Sequence, residues 1–250
     1  MKAHNIEEVL SLLRFIISET RQNGDRAGYF AALYYKMTAA IKRDMQSHVF
    51  VDAARMERLD VAFANRYLEA YEAYRNNRPL TNSWKTAFLS TTDDQAIVLQ
   101  HLLLGINAHI NLDLGIAAAA ISTRENIEDL QQDFNQVNIT IAGLFAEVQT
   151  CLTKIAFPMH FIRNIDPEKM NSVLDFSIGK ARDLAWSNAL ILIEAGEAAL
   201  PGVIHQTDQA VSRVASGIMH PGKLMTWLIK IIRWCENNDV SENIGFLDSK

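Results

Sequence analysis

The chain reads as all-α, a compact multi-helix bundle, on three observations. Only five prolines occur, at positions 79, 158, 167, 201 and 221, so long stretches carry no obligatory helix breaker. Apolar residues recur at three- and four-residue steps nearly throughout. No segment alternates apolar with polar residues between hairpin turn signals, and no internal repeat or low-complexity run interrupts the pattern.

Taken in order, the first helix is expected over 6–22, opened by the capping-box spacing of Asn5 with Glu8 and closed by Gly24 after Asn23. Apolar periodicity then carries helices over 27–47 and 52–76, the second stopped by "NNRP" at 76–79. A short helix follows at 82–89. Thr92 with Gln95 and Ser122 with Glu125 repeat the capping spacing and place helices at 93–121 and 123–156, with Pro158 as the stop. Asp166-Pro167 reads as N-cap and first-turn proline of a helix over 167–199, ended by Pro201-Gly202. Helices at 203–216 and 222–237 complete the set, and the tail "SENIGFLDSK" is expected to fray. The linkers are short, so residues 1–250 form one domain. The 93–121 helix is apolar on nearly every side and belongs at its centre.

Composition excludes several classes of function. A net charge of −5 with dispersed basic residues offers no footprint for a nucleic-acid backbone. Cys151 and Cys235 lie far apart without CxxC spacing, which reads as reduced thiols and a cytoplasmic location. The N-terminal apolar stretch is interrupted by Glu7, Glu8 and Arg14 at helical spacing and has no small-residue cleavage site, so it is an amphipathic helix and not a signal peptide. A membrane span over 95–123 would carry Gln100, His101, Asn107, His109, Asn111 and Asp113 into lipid; burial in protein is cheaper, and no span is expected. No GxSxG elbow, P-loop, GxGxxG, HExxH or zinc-finger spacing occurs.

The candidate site sits in "HLLLGINAHINLDLG", residues 101–115, where Asp113 is the only formal charge between 95 and 123. At helical pitch His109 and Asp113 share one face, one turn apart, while Asn107 and Asn111 share roughly the opposite one. A buried carboxylate must have a partner, a metal or water. A His109–Asp113 hydrogen bond would fix the imidazole tautomer and raise its basicity, which serves a general base or a metal ligand. His101 and His109 are separated by about 12 Å along a continuous helix and do not share an ion unless the helix breaks at Gly105. Asp60, His205 and Asp208 are the available further ligands, and Arg66 or Arg182 the available counter-charge to Asp113. The bland reading is a satisfied core network. Asp60 and Arg66 interrupt an apolar stripe and, taken alone, are expected to reach solvent at its edges. Arg182 one turn before Trp186 reads as a stacked arginine in the core, and Trp227, Ile231 and Trp234 read as core in preference to a dimer face.

The segments "LDVAFANRYLEA" (59–70) and "LQHLLLGINAHINLDLGIAAA" (99–119) resemble a bacterial family classed only as a domain of unknown function, over most of the chain from "YFAALYYKMT" to "ARDLAW". The resemblance implies a soluble helical protein and supplies no mechanism. A weaker one is to helical zinc-dependent phospholipases C and nucleases, whose metal helix carries histidines and an aspartate at short spacings. Here Gly105 stands where that pattern has an acidic ligand, and its proline is missing.

The reading that results is a small-molecule or divalent-metal (zinc) site of hydrolytic type, with His109 and Asp113 as catalytic residues or metal ligands. Asp60, Arg66, His101, Asn107 and Asn111 are its ligand-binding residues. Its alternative is a structural or interaction module, homo-oligomeric or not, in which these groups only satisfy one another.

Overall fold

The computed structural model describes residues 1–156 and 167–249. Its helices are α1 (Ile6–Asn23), α2 (Gly28–Gln46), α3 (Ala53–Arg75), α4 (Asn82–Leu89), α5 (Val98–Ala120), α6 (Gln131–Ile155), α7 (Pro167–Met219), α8 (Lys223–Cys235) and α9 (Val240–Asp248). Single 3-10 turns stand at Ser90–Thr92 and Glu128–Leu130. No strand occurs among the described residues, and the all-α expectation holds.

A helix apolar on every side has to be enclosed. Accordingly α2, α3, α4 and α7 surround α5. Two features of its sequence allow this. At Gly105 an added Cβ would stand 2.4 Å from the Phe30 ring, and at Gly115 one would stand 2.8 Å from the Ala185 carbonyl. The missing side chains are therefore what lets α2 and α7 approach so closely. The two ends of α5 feed separate cores. Leu102, Leu104 and Ala108 pack with α1, α2, α3, α4 and α9, whereas Ile110, Leu114, Ala117 and Ala118 pack with Ile41, Met56, Phe134, Ile141 and Ala189. Between them one turn of π-helix, His109–Leu114, interrupts the α-helical ladder. An extra residue in a turn re-aims the face that follows, and such turns recur at functional sites.

Several boundaries differ from expectation, each for a tertiary reason. The Thr92–Gln95 capping box does not form. Instead α5 starts at Val98, where Gln100 Oε1 accepts the Ile97 N–H and Glu236, distant in sequence, accepts the Val98 N–H at 2.9 Å. The Ser122–Glu125 box is likewise replaced by a turn in which Asn126 Oδ1 accepts the Thr123 N–H, and α6 begins only at Gln131. The break near Pro201 falls earlier, at Gly196 (φ 69°, ψ 165°), a left-handed conformation that favours glycine, so that Pro201 stands early in the helical segment that follows. The Asn5 cap and the Gly24 stop are as expected, while Asp166 and Pro158 lie outside the described residues. The tail does not fray: Asp239 caps α9, and Ile244 and Leu247 are buried against α1 and α2.

The expectation that Trp227, Ile231 and Trp234 belong to the core is overturned. All three are exposed and α8 buries no residue. Among the described residues two helices are long and apolar enough to cross a membrane. In α5 the apolar window is 72% buried, as a core helix requires; in Ile178–Met219 of α7 it is 11% buried.

Candidate functional site

Asp113 is sequestered, at 1% exposure, and three donors converge on it. Arg66 Nε on α3 donates to Oδ1 at 3.2 Å, and Trp84 Nε1 on α4 donates to Oδ2 at 2.8 Å. His109 Nδ1 lies 3.3 Å from Oδ2. The counter-charge is therefore Arg66 and not Arg182. Arg66 remains about a third exposed while its Nε reaches inward, which is the snorkelling geometry of a long cationic side chain.

An ionised Asp113 can only accept, so the proton on His109 sits on Nδ1 and Nε2 carries the lone pair. Burial pushes the His109 pKa below its usual value, and the Asp113 carboxylate only partly counters this. The imidazole is therefore neutral at pH 7. An aromatic cage holds it in place: the Phe63 ring stacks on it with centroids 3.6 Å apart and planes 7° from parallel, and Tyr34 meets it edge-on at 4.5 Å. Nε2 is buried and has no hydrogen-bond partner among the described residues.

His109 also lines a cavity of about 60 Å³ between α2, α3, α5, α6 and α7. Most of its wall is apolar, from Met37, Ile41, Met56, Leu59, Ile110 and Ile141. Among the described residues, five that line it carry a buried polar atom without a hydrogen-bond partner: Tyr34 Oη, Thr38 Oγ1, Asp60 Oδ2, His109 Nε2 and Arg182 Nε. The Thr38 hydroxyl lies close to that of Tyr34 but outside hydrogen-bond geometry. Asp60 is buried, contrary to the expectation that it sits at a solvated edge. Burial, with the nearby Glu57 charge adding to it, raises its pKa to about 7. Arg182 is buried, donates from Nη2 to the Phe134 carbonyl at 2.6 Å and lies over the Phe134 ring, not over Trp186. Burial lowers its pKa to about 9, which leaves it charged at neutral pH. Among the described residues neither Asp60 nor Arg182 has an ion-pair partner.

The remaining expected site residues fall elsewhere. Asn107 and Asn111 lie on the opposite side of α5, as their spacing predicts. Asn111 donates to Asn107 Oδ1 at 2.9 Å and Asn107 donates to the Val211 carbonyl at 3.0 Å, tying α5 to α7. His101 sits two turns away, its Nδ1 3.2 Å from Ser90 Oγ, and burial lowers its pKa to about 4. The helix does not break at Gly105 to bring the two histidines together. Asp208 caps α4, accepting from the backbone N–H groups of Asn82 and Ser83, and His205 pairs with Gln209 at the surface. Among the described residues no three His, Cys, Asp or Glu side chains come together to hold a metal ion. With Asp113 already taken up by Arg66, Trp84 and His109, a metal reading of the dyad has no geometric support.

Residues 6–221 match the profile of a family of unknown function, DUF5995. The chain belongs to this family. The match ends just before α8. No curated protein matches the chain, and no solved structure matches it. Within this DUF5995 chain, the segment 59–70 supplies Asp60, Phe63 and Arg66, and 99–119 supplies His109 and Asp113, so the two stretches that carried the resemblance meet at one site. Tyr34, Thr38 and Trp84 were missed. Tyr34 and Thr38 stand one turn apart within "YFAALYYKMT", but nothing in a helix-spaced pair of hydroxyls separates a cavity wall from a core.

Proposed function

We propose that the cavity binds a small organic molecule with an apolar body and an anionic or hydroxyl-bearing end, and that the His109–Asp113 pair acts on that end as hydrogen-bond and proton acceptor. One observation carries this reading: five partnerless polar atoms face, or belong to residues facing, one apolar cavity. A buried polar atom left unsatisfied costs about 1–3 kcal/mol, so such a wall is stable in company with something that meets it. A buried guanidinium with no ion-pair partner among the described residues favours an anion, and a neutral imidazole whose other nitrogen is held by a carboxylate is poised to accept a proton.

The alternative, a core network in which the groups only satisfy one another, accounts for Asp113 and Asn107. It does not account for Asp60, Arg182 or His109 Nε2. The test is organic extraction of the purified protein followed by mass spectrometry, together with thermal shift against small aromatic and branched-chain carboxylates. Filling the void with Ile141→Phe is expected to abolish both the extracted compound and the thermal shift. If wild type yields no compound and no carboxylate raises its Tm, the cavity is a water-filled core defect and the reading falls.

A further inference from the structure

We propose that α8 is a docking face for an anionic lipid surface. Its sequence, KLMTWLIKIIRWC, has three basic residues and no acidic one, in a chain whose net charge is −5. At 3.6 residues per turn Trp234, Trp227, Ile231, Leu224 and Leu228 fall within an arc of about 120°. That arc points outward: Trp234 is 87% exposed, Leu224 76% and Trp227 60%. Lys223 and Lys230 flank its tryptophan edge; both are exposed, and neither has an ion-pair partner among the described residues.

The other side of the helix is held to the protein. Arg233 Nε donates to the Asp94 carbonyl at 2.7 Å and its guanidinium pairs with the buried Glu236 at 3.6 Å, while the Asn237 N–H reaches the Ile155 carbonyl at 2.9 Å. The apolar arc is thus held toward the outside. Both acidic residues in these contacts already have a cationic partner, Glu236 in Arg233 and Asp94 in Arg26.

Five large apolar side chains facing water are unfavourable without a cover. A helix with tryptophan and aliphatic residues on one face and lysines beside them lies in a bilayer interface, where the rings sit at headgroup depth and the ammonium groups meet anionic lipid. A second copy of the chain fits the same face less well, because it would bring the same lysine-edged surface and no acidic residue of α8 to meet it.

The test uses the full chain with vesicles of phosphatidylcholine or of equimolar phosphatidylcholine and phosphatidylglycerol, read by co-sedimentation and tryptophan emission. Binding is expected to the phosphatidylglycerol vesicles, with a blue shift, and to weaken with added salt. Lys223→Glu with Lys230→Glu should weaken it by more than about tenfold, since each basic side chain near such a surface is worth about a fivefold change in partitioning. Trp227→Ala with Trp234→Ala should remove the blue shift. These side chains are exposed, so native circular dichroism is expected in both variants. Absence of vesicle binding, equal binding to both compositions, or binding untouched by the substitutions overturns the proposal. So does a dimer in sedimentation velocity that Trp234→Ala dissociates, which would assign the face to a second copy.

Discussion

Asp60→Asn removes a carboxyl whose pKa the fold raises into the neutral range, and its effect on stability is expected to depend on pH in a calculable way. The pKa of Asp60 rises from 3.8 to about 7, with burial as the main cause. Between those values the folded state binds a proton that the unfolded state has lost, so stability from this group is present at low pH and declines as pH rises through 7. Evaluating both titrations at pH 5 and pH 8 gives a wild-type loss of roughly 3 kcal/mol across that interval from this one residue. The amide does not ionise and escapes the loss. Urea denaturation of both proteins at pH 5 and pH 8 measures it. The difference in unfolding free energy, variant minus wild type, should grow by roughly 3 kcal/mol toward pH 8, a change well beyond the extrapolation error. A difference that stays flat with pH would show that Asp60 is ionised in the fold and has a cation or water beside it. The account of the cavity wall would then be wrong.

Asp113→Asn leaves one acceptor oxygen facing three donors and turns an amide N–H₂ toward at least one of them. A loss of about 2–3 kcal/mol is expected by chemical denaturation, as for a hydrogen bond to a charged group. His109 should then protonate at still lower pH by NMR, because Asp113 is what supports its charged form. Gly105→Ala drives a methyl group into the Phe30 ring and is expected to cost about 1–3 kcal/mol, with both helices intact by circular dichroism. His101, with a pKa lowered to about 4, acts in the opposite sense to Asp60. Its stabilisation is present above pH 6.5, the ordinary histidine value, and is lost as pH falls toward 4, by up to roughly 3 kcal/mol. His101→Gln should flatten that limb of the stability profile.

The helices were legible because their determinants are local. Asn5 with Glu8 caps α1, Gly24 stops it, and the spacing of apolar residues sets the faces of α2, α3 and α5. Where a boundary depended on a distant partner, local rules misplaced it. The start of α5 is decided by Glu236, and α9 is a helix because Ile244 and Leu247 find a core to enter.

For the site, one lone carboxylate in an apolar run was enough to predict that Asp113 is buried and needs a partner, a metal or water, with His109 and either of two arginines as candidates, since the cost of isolating a charge does not depend on the fold. Which arginine, and whether anything else would join them, had no local signature. Arg66 reaches Asp113 only because α3 crosses α5 at the π turn, and Arg182 and Asp60 face the same void only because five helices meet without filling it. The same physics left α8 open to misreading. An amphipathic pattern states that one face must be covered, whereas the identity of the cover is a property of what lies across from it in space.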